Sequence, residues 1–130
     1  MKIKTIELYG VHLPYAQGIY TLSGGRQYEG FEASIIKIKT DCGLDGFGES
    51  TPFGSTYIAA HSKGVRAGIA DIAPHLIGHD PRHLDRINDI MDGSLKGHNH
   101  AKAAIDIACW DIFGKSVNMP VSALSCSNYA

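Results

Sequence analysis

The hydrophobic period of the sequence changes about halfway along the chain, and this change constrains the fold more than any other feature. Up to about residue 50, apolar and polar residues alternate in short runs that are rich in β-branched side chains, which is typical of β-strands. From about residue 58, apolar residues recur every three or four positions, which is typical of amphipathic helices. A block of strands followed by a block of helices predicts an α+β domain.

Three strands are predicted in the first half, and they cover residues 3–13, 33–40 and 44–49. The turn residues Asp41, Cys42 and Gly43 join the last two strands into a hairpin, so the three strands form an antiparallel meander. Between the first two strands, residues 16–30 are rich in glycine and show no sustained period. A segment of that length and composition predicts a mobile, functional loop.

About three helices are predicted in the second half. The first begins at about residue 58 and is ended or bent by Pro74. Its apolar stripe consists of Val65, Ile69, Ile72 and Leu76. The second opens with Asp80 as N-cap and Pro81 in the first helical position, and it extends to about residue 92. The third begins at about residue 99, with Gly114 as its C-terminal cap.

The third predicted helix is apolar on two sides. One stripe consists of Ala101, Ala104, Ile105, Ala108 and Ile112, and the other of Ile107, Trp110 and Phe113. A helix that is apolar on two sides must be covered on two sides, and the predicted sheet can cover only one. Two interpretations stay open: the second side packs against something outside this sequence, or the glycine-rich segment folds over it.

Composition excludes several classes of partner. Twelve Lys and Arg residues against thirteen Asp and Glu residues give a net charge of −1, so we expect no binding to nucleic acid or to an anionic membrane. No apolar run approaches the roughly 18 residues of a membrane-spanning helix. The charged start does not resemble a signal peptide, and three widely spaced cysteines suit a reducing compartment, so we expect a cytoplasmic location.

Several residue patterns that carry chemistry in other proteins have simpler interpretations here. His79 and His83 are four residues apart, but His79 precedes the predicted cap of the second helix, and no Cys or Glu accompanies the pair. Lys37 and Lys39 share one strand face, which we interpret as a solvated face. Cys109 lies between apolar neighbours and is predicted to be an inert core thiol. The sequence therefore predicts no catalytic residue and no metal ligand.

Aromatic residues mark two segments beside the predicted strands. Tyr15 and Tyr20 flank the start of the glycine-rich segment, and Phe53 and Tyr57 follow the predicted hairpin. Two aromatic loops attached to one sheet could close over an apolar or cationic small molecule. Ordinary packing of the loops is the alternative interpretation.

Three motifs, in this order, give the sequence a family resemblance. They are residues 44–54 (LDGFGESTPFG), 76–81 (LIGHDP) and 103–115 (AAIDIACWDIFGK). Together they resemble the N-terminal domain of the mandelate racemase/muconate lactonizing enzymes of the enolase superfamily, over about residues 1–124. Residues 13–15, 22–26 and 52–57 are most similar to the members that act on hydroxyproline betaine or cis-3-hydroxyproline.

The resemblance implies the capping domain of a two-domain racemase, epimerase or dehydratase. In this family a modified (β/α) barrel carries the lysines that abstract the proton α to a carboxylate, and it holds Mg²⁺ through three carboxylates. The cap supplies two specificity loops that exclude water and shape the substrate pocket. Carried over to this sequence, the resemblance implies a proline-type amino acid or betaine as substrate. The implied substrate-binding residues are Tyr15, Tyr20, Arg26, Phe53 and Tyr57.

The end of the sequence departs from the family pattern. We interpret residues 1–124 as the capping domain, whereas residues 125–130 (SCSNYA) do not continue with the family's Leu-Gly-Gly run into the barrel. The sequence therefore predicts a chain without the barrel, its metal ligands and its lysines. Such a chain is a shortened or frameshifted product, or one shortened on purpose.

A cap without a barrel is expected to bind no cofactor and to be inactive alone. Its expected partners are the missing barrel, an amino-acid-like substrate in the intact enzyme and, through the third helix, a second copy of itself. The alternative is a non-catalytic module that binds a small molecule or pairs in trans with a separately encoded barrel.

Overall fold

The fold consists of two blocks, strands first and helices second, as the change of period predicts. The computed structural model describes residues 1–54 and 56–125. The strands are β1 (Ile3–Pro14), β2 (Tyr20–Thr21), β3 (Gln27–Tyr28), β4 (Gly30–Thr40) and β5 (Asp45–Ser50). The helices are α1 (Ser62–Leu76), α2 (Leu84–Ser94), α3 (Asn99–Ser116) and α4 (Val121–Ser125). The predicted α+β class is confirmed.

The three long strands form the predicted antiparallel meander, in the spatial order β1-β4-β5. Between β1 and β4, the prediction of a segment without regular structure over residues 16–30 is wrong. The segment contains β2 and β3, which pair Tyr20 with Tyr28 and Thr21 with Gln27 as a small hairpin. Strands of two residues are too short to produce an alternating pattern, so the period of the sequence could not indicate them.

The first helix begins later than predicted, and Pro74 does not end it. α1 begins at Ser62 because His61 is its N-cap and accepts a hydrogen bond from the backbone N–H of Gly64 at 3.2 Å. At the other end the helix continues through Pro74 to Leu76, whose side chain is fully buried. Burial of Leu76 favours the last turn, and Pro74 itself lies on the exposed side of the helix.

The second helix begins later in the structure than the sequence predicts. α2 starts at Leu84, because the carboxylate of Asp80 does not cap a helix. It accepts hydrogen bonds of 3.0 Å from both the backbone N–H and the Nε of Arg82. The sequence pattern resembles a helix start, but the side chain that would cap the helix forms a turn instead.

The predicted C-terminal cap of α3 is also wrong. Gly114 lies inside the helix and is buried. A Cβ added at this position would stand only 2.8 Å from the carbonyl oxygen of Met119. Val117 is the C-cap residue, and the positive φ near this end belongs to Asn118, at 53°. The glycine therefore allows the chain that follows α3 to approach the helix closely.

One aliphatic core lies between the sheet and helices α1, α2 and α3. Its fully buried members include Ile36, Ile38, Ile69, Ile72, Ile87, Met91, Ile105 and Ile112. β5 contacts α3 through Gly46 and Gly48, where an added Cβ would collide with the carbonyl oxygens of Ala108 and Ala104. The glycines of the first motif thus let the helix pack directly on the strand.

α3 has one buried side and one uncovered side. The first predicted stripe (Ala101, Ala104, Ile105, Ala108 and Ile112) is completely buried, as is Cys109. On the second side, Ile107 is 49% exposed. The interpretation that the glycine-rich segment covers this side is therefore wrong; that segment contacts the residues after β5 instead, where Arg26 bonds to Thr56.

The C-terminal part of the described chain adds α4, a short fourth helix. Except for Ser125, the predicted tail of residues 125–130 lies outside the described residues. No helix within residues 1–54 and 56–125 combines the length and the apolarity that crossing a membrane requires.

Candidate functional site

Six aromatic side chains meet at the end of the sheet where β1 ends, β4 begins and β5 ends. We call Tyr15, Tyr20, Tyr28, Phe31, Phe53 and Tyr57 the aromatic cluster. Its closest ring pair is Phe31–Phe53, with centroids 4.7 Å apart. Further centroid separations are 5.0 Å for Phe53–Tyr57, 5.3 Å for Tyr15–Phe31 and for Tyr28–Phe53, and 5.6 Å for Tyr15–Tyr20 and for Tyr28–Phe31. All these distances lie in the range of favourable aromatic contacts.

The register of the sheet explains why these rings meet. Leu13 lies opposite Phe31, and the ladder continues one step beyond β1 because the backbone N–H of Tyr15 donates to the carbonyl of Glu29 at 2.9 Å. Side chains alternate between the faces of a strand, so Tyr15 and Phe31 fall on the same face. At the end of β5, the buried Pro52 holds the chain where Phe53 reaches this face.

Hydrogen bonds also connect the two segments that carry the cluster. The guanidinium Nη1 of Arg26 donates to the carbonyl of Thr56 at 3.2 Å. The Thr56 hydroxyl also lies 3.3 Å from the hydroxyl of Tyr28, within hydrogen-bond distance. The β2–β3 hairpin therefore contacts the segment after β5, of which residues 51–54 and 56–61 are described.

The cluster remains partly open to solvent and carries little charge. Tyr20 is 49% exposed and Tyr57 is 63% exposed, whereas Tyr15, Tyr28 and Phe53 are half-buried. Desolvation, with a smaller contribution from Tyr20, raises the pKa of Tyr15 above its usual range. Arg26 adds a positive charge at the edge. Such a surface can bind and orient an organic molecule and exclude water from it.

All five residues predicted to bind substrate belong to this region. The structure brings Tyr15, Tyr20, Phe53 and Tyr57 together in the cluster and places Arg26 at its edge. The sequence analysis missed Tyr28 and Phe31. Phe31 could have been found by extending the alternation of the second strand back to residue 31, which places its side chain on the face of Ala33 and Ile35.

The residue patterns with simpler interpretations have structural roles. Lys37 and Lys39 are half-buried and form ion pairs of 2.9 Å with Asp45 and 2.6 Å with Glu7. The hydrogen bond from Lys39 lowers the pKa of Glu7 below its usual range. Burial raises the pKa of the Cys109 thiol to about 12, as expected of an inert core cysteine. Among residues 1–54 and 56–125, no group of His, Cys, Asp and Glu side chains fits a metal ion.

A second exposed apolar surface lies on the outer side of α3. Ile107 and Trp110 line a groove together with Phe47 and Val121, and the groove extends to Ser125 in α4. Ile107 and Phe47 are each 49% exposed. We call this surface the α3 groove. It contains Ile107 and Trp110 of the second apolar stripe predicted for the third helix.

Comparisons with known proteins agree on one family. Residues 24–125 match the domain described as mandelate racemase/muconate lactonizing enzyme, N-terminal domain. A curated relative, cis-3-hydroxy-L-proline dehydratase of Roseibium aggregatum, is 46% identical over 124 residues, which are 95% of this chain and 34% of the relative. The chain therefore spans about a third of the length of this relative.

Solved structures agree with the sequence relatives. A protein from Roseovarius nubinhibens ISM, assigned to the mandelate racemase/muconate lactonizing enzymes and solved in complex with magnesium, superimposes with a TM-score of 0.93 at 50% identity. The match covers 100% of this chain and 35% of that one. N-succinyl Arg/Lys racemase from Bacillus cereus superimposes with a TM-score of 0.90 at 36% identity, over 100% of this chain and 35% of the racemase.

Proposed function

Because the chain belongs to the mandelate racemase/muconate lactonizing enzyme family, in which it corresponds to the N-terminal domain, we propose that it caps the active site of a racemase, epimerase or dehydratase. The observation that carries this proposal is the aromatic cluster, which gathers six rings from separate segments at one end of the sheet. A functional surface assembled on loops that a rigid sheet holds in place is typical of specificity loops.

In this proposal the cap contributes binding and exclusion of water, and its own residues carry no covalent chemistry. Abstraction of the proton α to the substrate carboxylate is assigned to a barrel domain, as is the magnesium ion that would stabilise the resulting enediolate. The proposal is compatible with the donor set, since no carboxylates of residues 1–54 and 56–125 come together in a group that fits a metal ion. The family boundary that we propose lies at residue 124.

The proposed substrate is a proline-type amino acid, such as a hydroxyproline or its betaine. Two observations support it. One is the relative at 46% identity, a dehydratase of cis-3-hydroxy-L-proline. The other is the cluster itself, because aromatic faces attract secondary and quaternary ammonium groups. Arg26, hydrogen-bonded to Thr56 at the edge of the cluster, is a suitable group to attract the substrate's carboxylate.

We assign the α3 groove to the contact between cap and barrel. Ile107 and Trp110 would then be buried in the intact enzyme, which agrees with their apolar character and with the length of the relatives, about three times that of this chain. The alternative, a module that pairs in trans with a separate barrel or with a second copy of itself, uses the same groove. Light scattering on the purified chain distinguishes self-association from a monomer whose α3 groove is available to a barrel domain.

A chimera tests the function. The chain replaces the N-terminal domain of cis-3-hydroxy-L-proline dehydratase, and Tyr20→Ala is compared with Tyr9→Ala, since both tyrosines are 49% exposed and only Tyr20 belongs to the cluster. We expect Tyr20→Ala to raise KM for the hydroxyproline by roughly tenfold and Tyr9→Ala to leave it within about twofold. Equal KM values for the two variants would contradict the proposal.

The isolated chain provides the second test. Without a barrel it should not exchange the α-proton of cis-3-hydroxy-L-proline into deuterated water, with or without magnesium. The intact dehydratase is the positive control. Exchange by the purified 130-residue chain would contradict the assignment of proton abstraction to the barrel.

A further inference from the structure

Phe53 occupies the centre of the aromatic cluster. Its ring centroid lies 4.7 Å from that of Phe31, 5.0 Å from Tyr57, 5.3 Å from Tyr28 and 6.3 Å from Tyr20. These partners come from β4, from the segment after β5, from β3 and from β2. No other ring of the cluster, within the described residues, contacts both strands of the small hairpin and also the segment after β5.

The hairpin has few other interactions that hold it in place. β2 and β3 contribute only two residue pairs, and an isolated two-stranded hairpin is marginal in water even when it is longer. The bonds from Arg26 and Tyr28 to Thr56 are solvent-exposed, so water competes for both. Because of this weak hydrogen bonding, ring packing has to supply most of the hairpin's stability, and Phe53 makes the most ring contacts.

We propose that Phe53 is a positioning residue that couples the β2–β3 hairpin to the segment after β5, so that the two segments order and open together. This inference deepens the proposed capping function and rests on it for its consequence. The hairpin and the segment after β5 would then change together between one open and one closed arrangement around a substrate, rather than moving as two independent loops. Substitutions at Phe53 would then change substrate affinity through the positions of Tyr20 and Tyr57, in addition to any contact that Phe53 itself makes with the substrate.

Amide hydrogen exchange on the 130-residue chain tests the coupling without any substrate. The reporters in the hairpin region are the amides of Leu22, bonded to the carbonyl of Arg26 at 2.8 Å, and of Tyr15, bonded to Glu29. The amide of Ile38, in the buried central strand, reports on the global fold. In Phe53→Leu, which keeps an apolar side chain but removes the ring, we expect exchange at Leu22 to accelerate at least about tenfold while Ile38 is unchanged.

Two further variants make the result specific. Tyr57→Leu removes a ring whose single contact in the cluster is to Phe53, and should accelerate exchange at Leu22 no more than about threefold. Phe53→Tyr keeps the ring and should restore protection of the hairpin. A role of Phe53 in general stability alone would instead change Ile38 and Leu22 together.

Three outcomes would overturn the coupling. They are unchanged exchange at Leu22 in Phe53→Leu, equal acceleration in Tyr57→Leu, and parallel acceleration at Ile38. If Phe53→Leu does not fold, the milder Phe53→Met decides by the same comparison. The result is independent of the KM measurement on the chimera, so the coupling can fail while the capping function stands, and the capping function can fail while the coupling holds.

Discussion

The interior of the domain and its aromatic cluster are built on opposite principles. The interior is aliphatic and closed, with Ile36, Ile72 and Ile105 each 0% exposed. The cluster consists of rings that contact one another and still face solvent, such as Tyr57 at 63% exposed. Folding is driven by burial of apolar area, so the interior contributes most of the stability. The cluster can vary its side chains at small cost in stability, and this freedom suits the substrate-binding role that we propose for it.

Thiol reactivity gives the largest contrast and tests how closed the interior is. In a Cys126→Ser chain, Cys42 is exposed and should react rapidly with an aromatic disulfide reagent. Cys109 is buried, its pKa is raised to about 12, and it should react at least about a thousandfold more slowly, because it must wait for unfolding. Denaturant should equalise the two thiols. Similar rates in the native chain would mean that the interior opens as readily as the surface.

A methyl group added between β5 and α3 should produce the largest loss of stability. In Gly48→Ala the new Cβ collides with the carbonyl oxygen of Ala104, so we expect the free energy of unfolding to fall by about 3 kcal/mol in urea denaturation. Gly93→Ala in α2 is the control: its Cβ meets nothing within 4 Å, and it should stabilise by up to about 1 kcal/mol. A small effect at Gly48 would show that α3 can move away from the strand.

The sequence predicted the interior better than its boundaries. Stripes such as Val65–Ile69–Ile72 repeat over several turns, so the period indicates both the helix and its buried side. Helix ends depend on a single side chain, and Asp80 forms a turn with Arg82 although its position resembles that of a cap. Gly114 looks like a C-terminal cap in sequence, but tight packing against Met119 explains it in the structure.

The site was predictable where aromatic residues stand out in irregular segments, as Phe53 and Tyr57 do. Tyr28 and Phe31 were missed because their position depends on the β1–β4 register and on a hairpin of two residue pairs. Neither feature leaves a periodic signal. The contacts of Phe53 with the hairpin and with Tyr57 depend on how these segments pack together. No local pattern in the sequence predicts them.

Removal of a peripheral ring should cost far less than a change in the interior. Tyr57→Ala deletes one ring contact of an exposed side chain, so we expect the free energy of unfolding to fall by no more than about 1 kcal/mol. Tyr57→Phe keeps the ring and should leave stability unchanged. Both are measured by the same urea denaturation as Gly48→Ala. A loss for Tyr57→Ala as large as that for Gly48→Ala would erase the distinction between the two regions.

The ion pair between Asp80 and Arg82 should make the smallest contribution to stability, and this contribution should depend on pH. The hydrogen bond from Arg82 holds the pKa of Asp80 at about 2, below its usual 3.8. A lowered pKa in the folded state stabilises the fold fully above pH 3.8, and this stabilisation is lost as the pH falls through about 2. The shift alone would correspond to roughly 2 kcal/mol. Arg82 is 39% exposed, so solvent screens its charge, and Asp80→Asn should cost less than about 1 kcal/mol at pH 7.

The control for this variant is Asp71→Asn, at an exposed position in α1. Relative to this control, the deficit of Asp80→Asn in the free energy of unfolding should shrink between pH 4 and pH 2, the interval between the two pKa values of Asp80. A deficit that stays constant over this interval would assign the effect of Asp80 to the geometry of its turn rather than to its charge. The turn joining α1 to α2 would then depend on the shape of this side chain rather than on its charge.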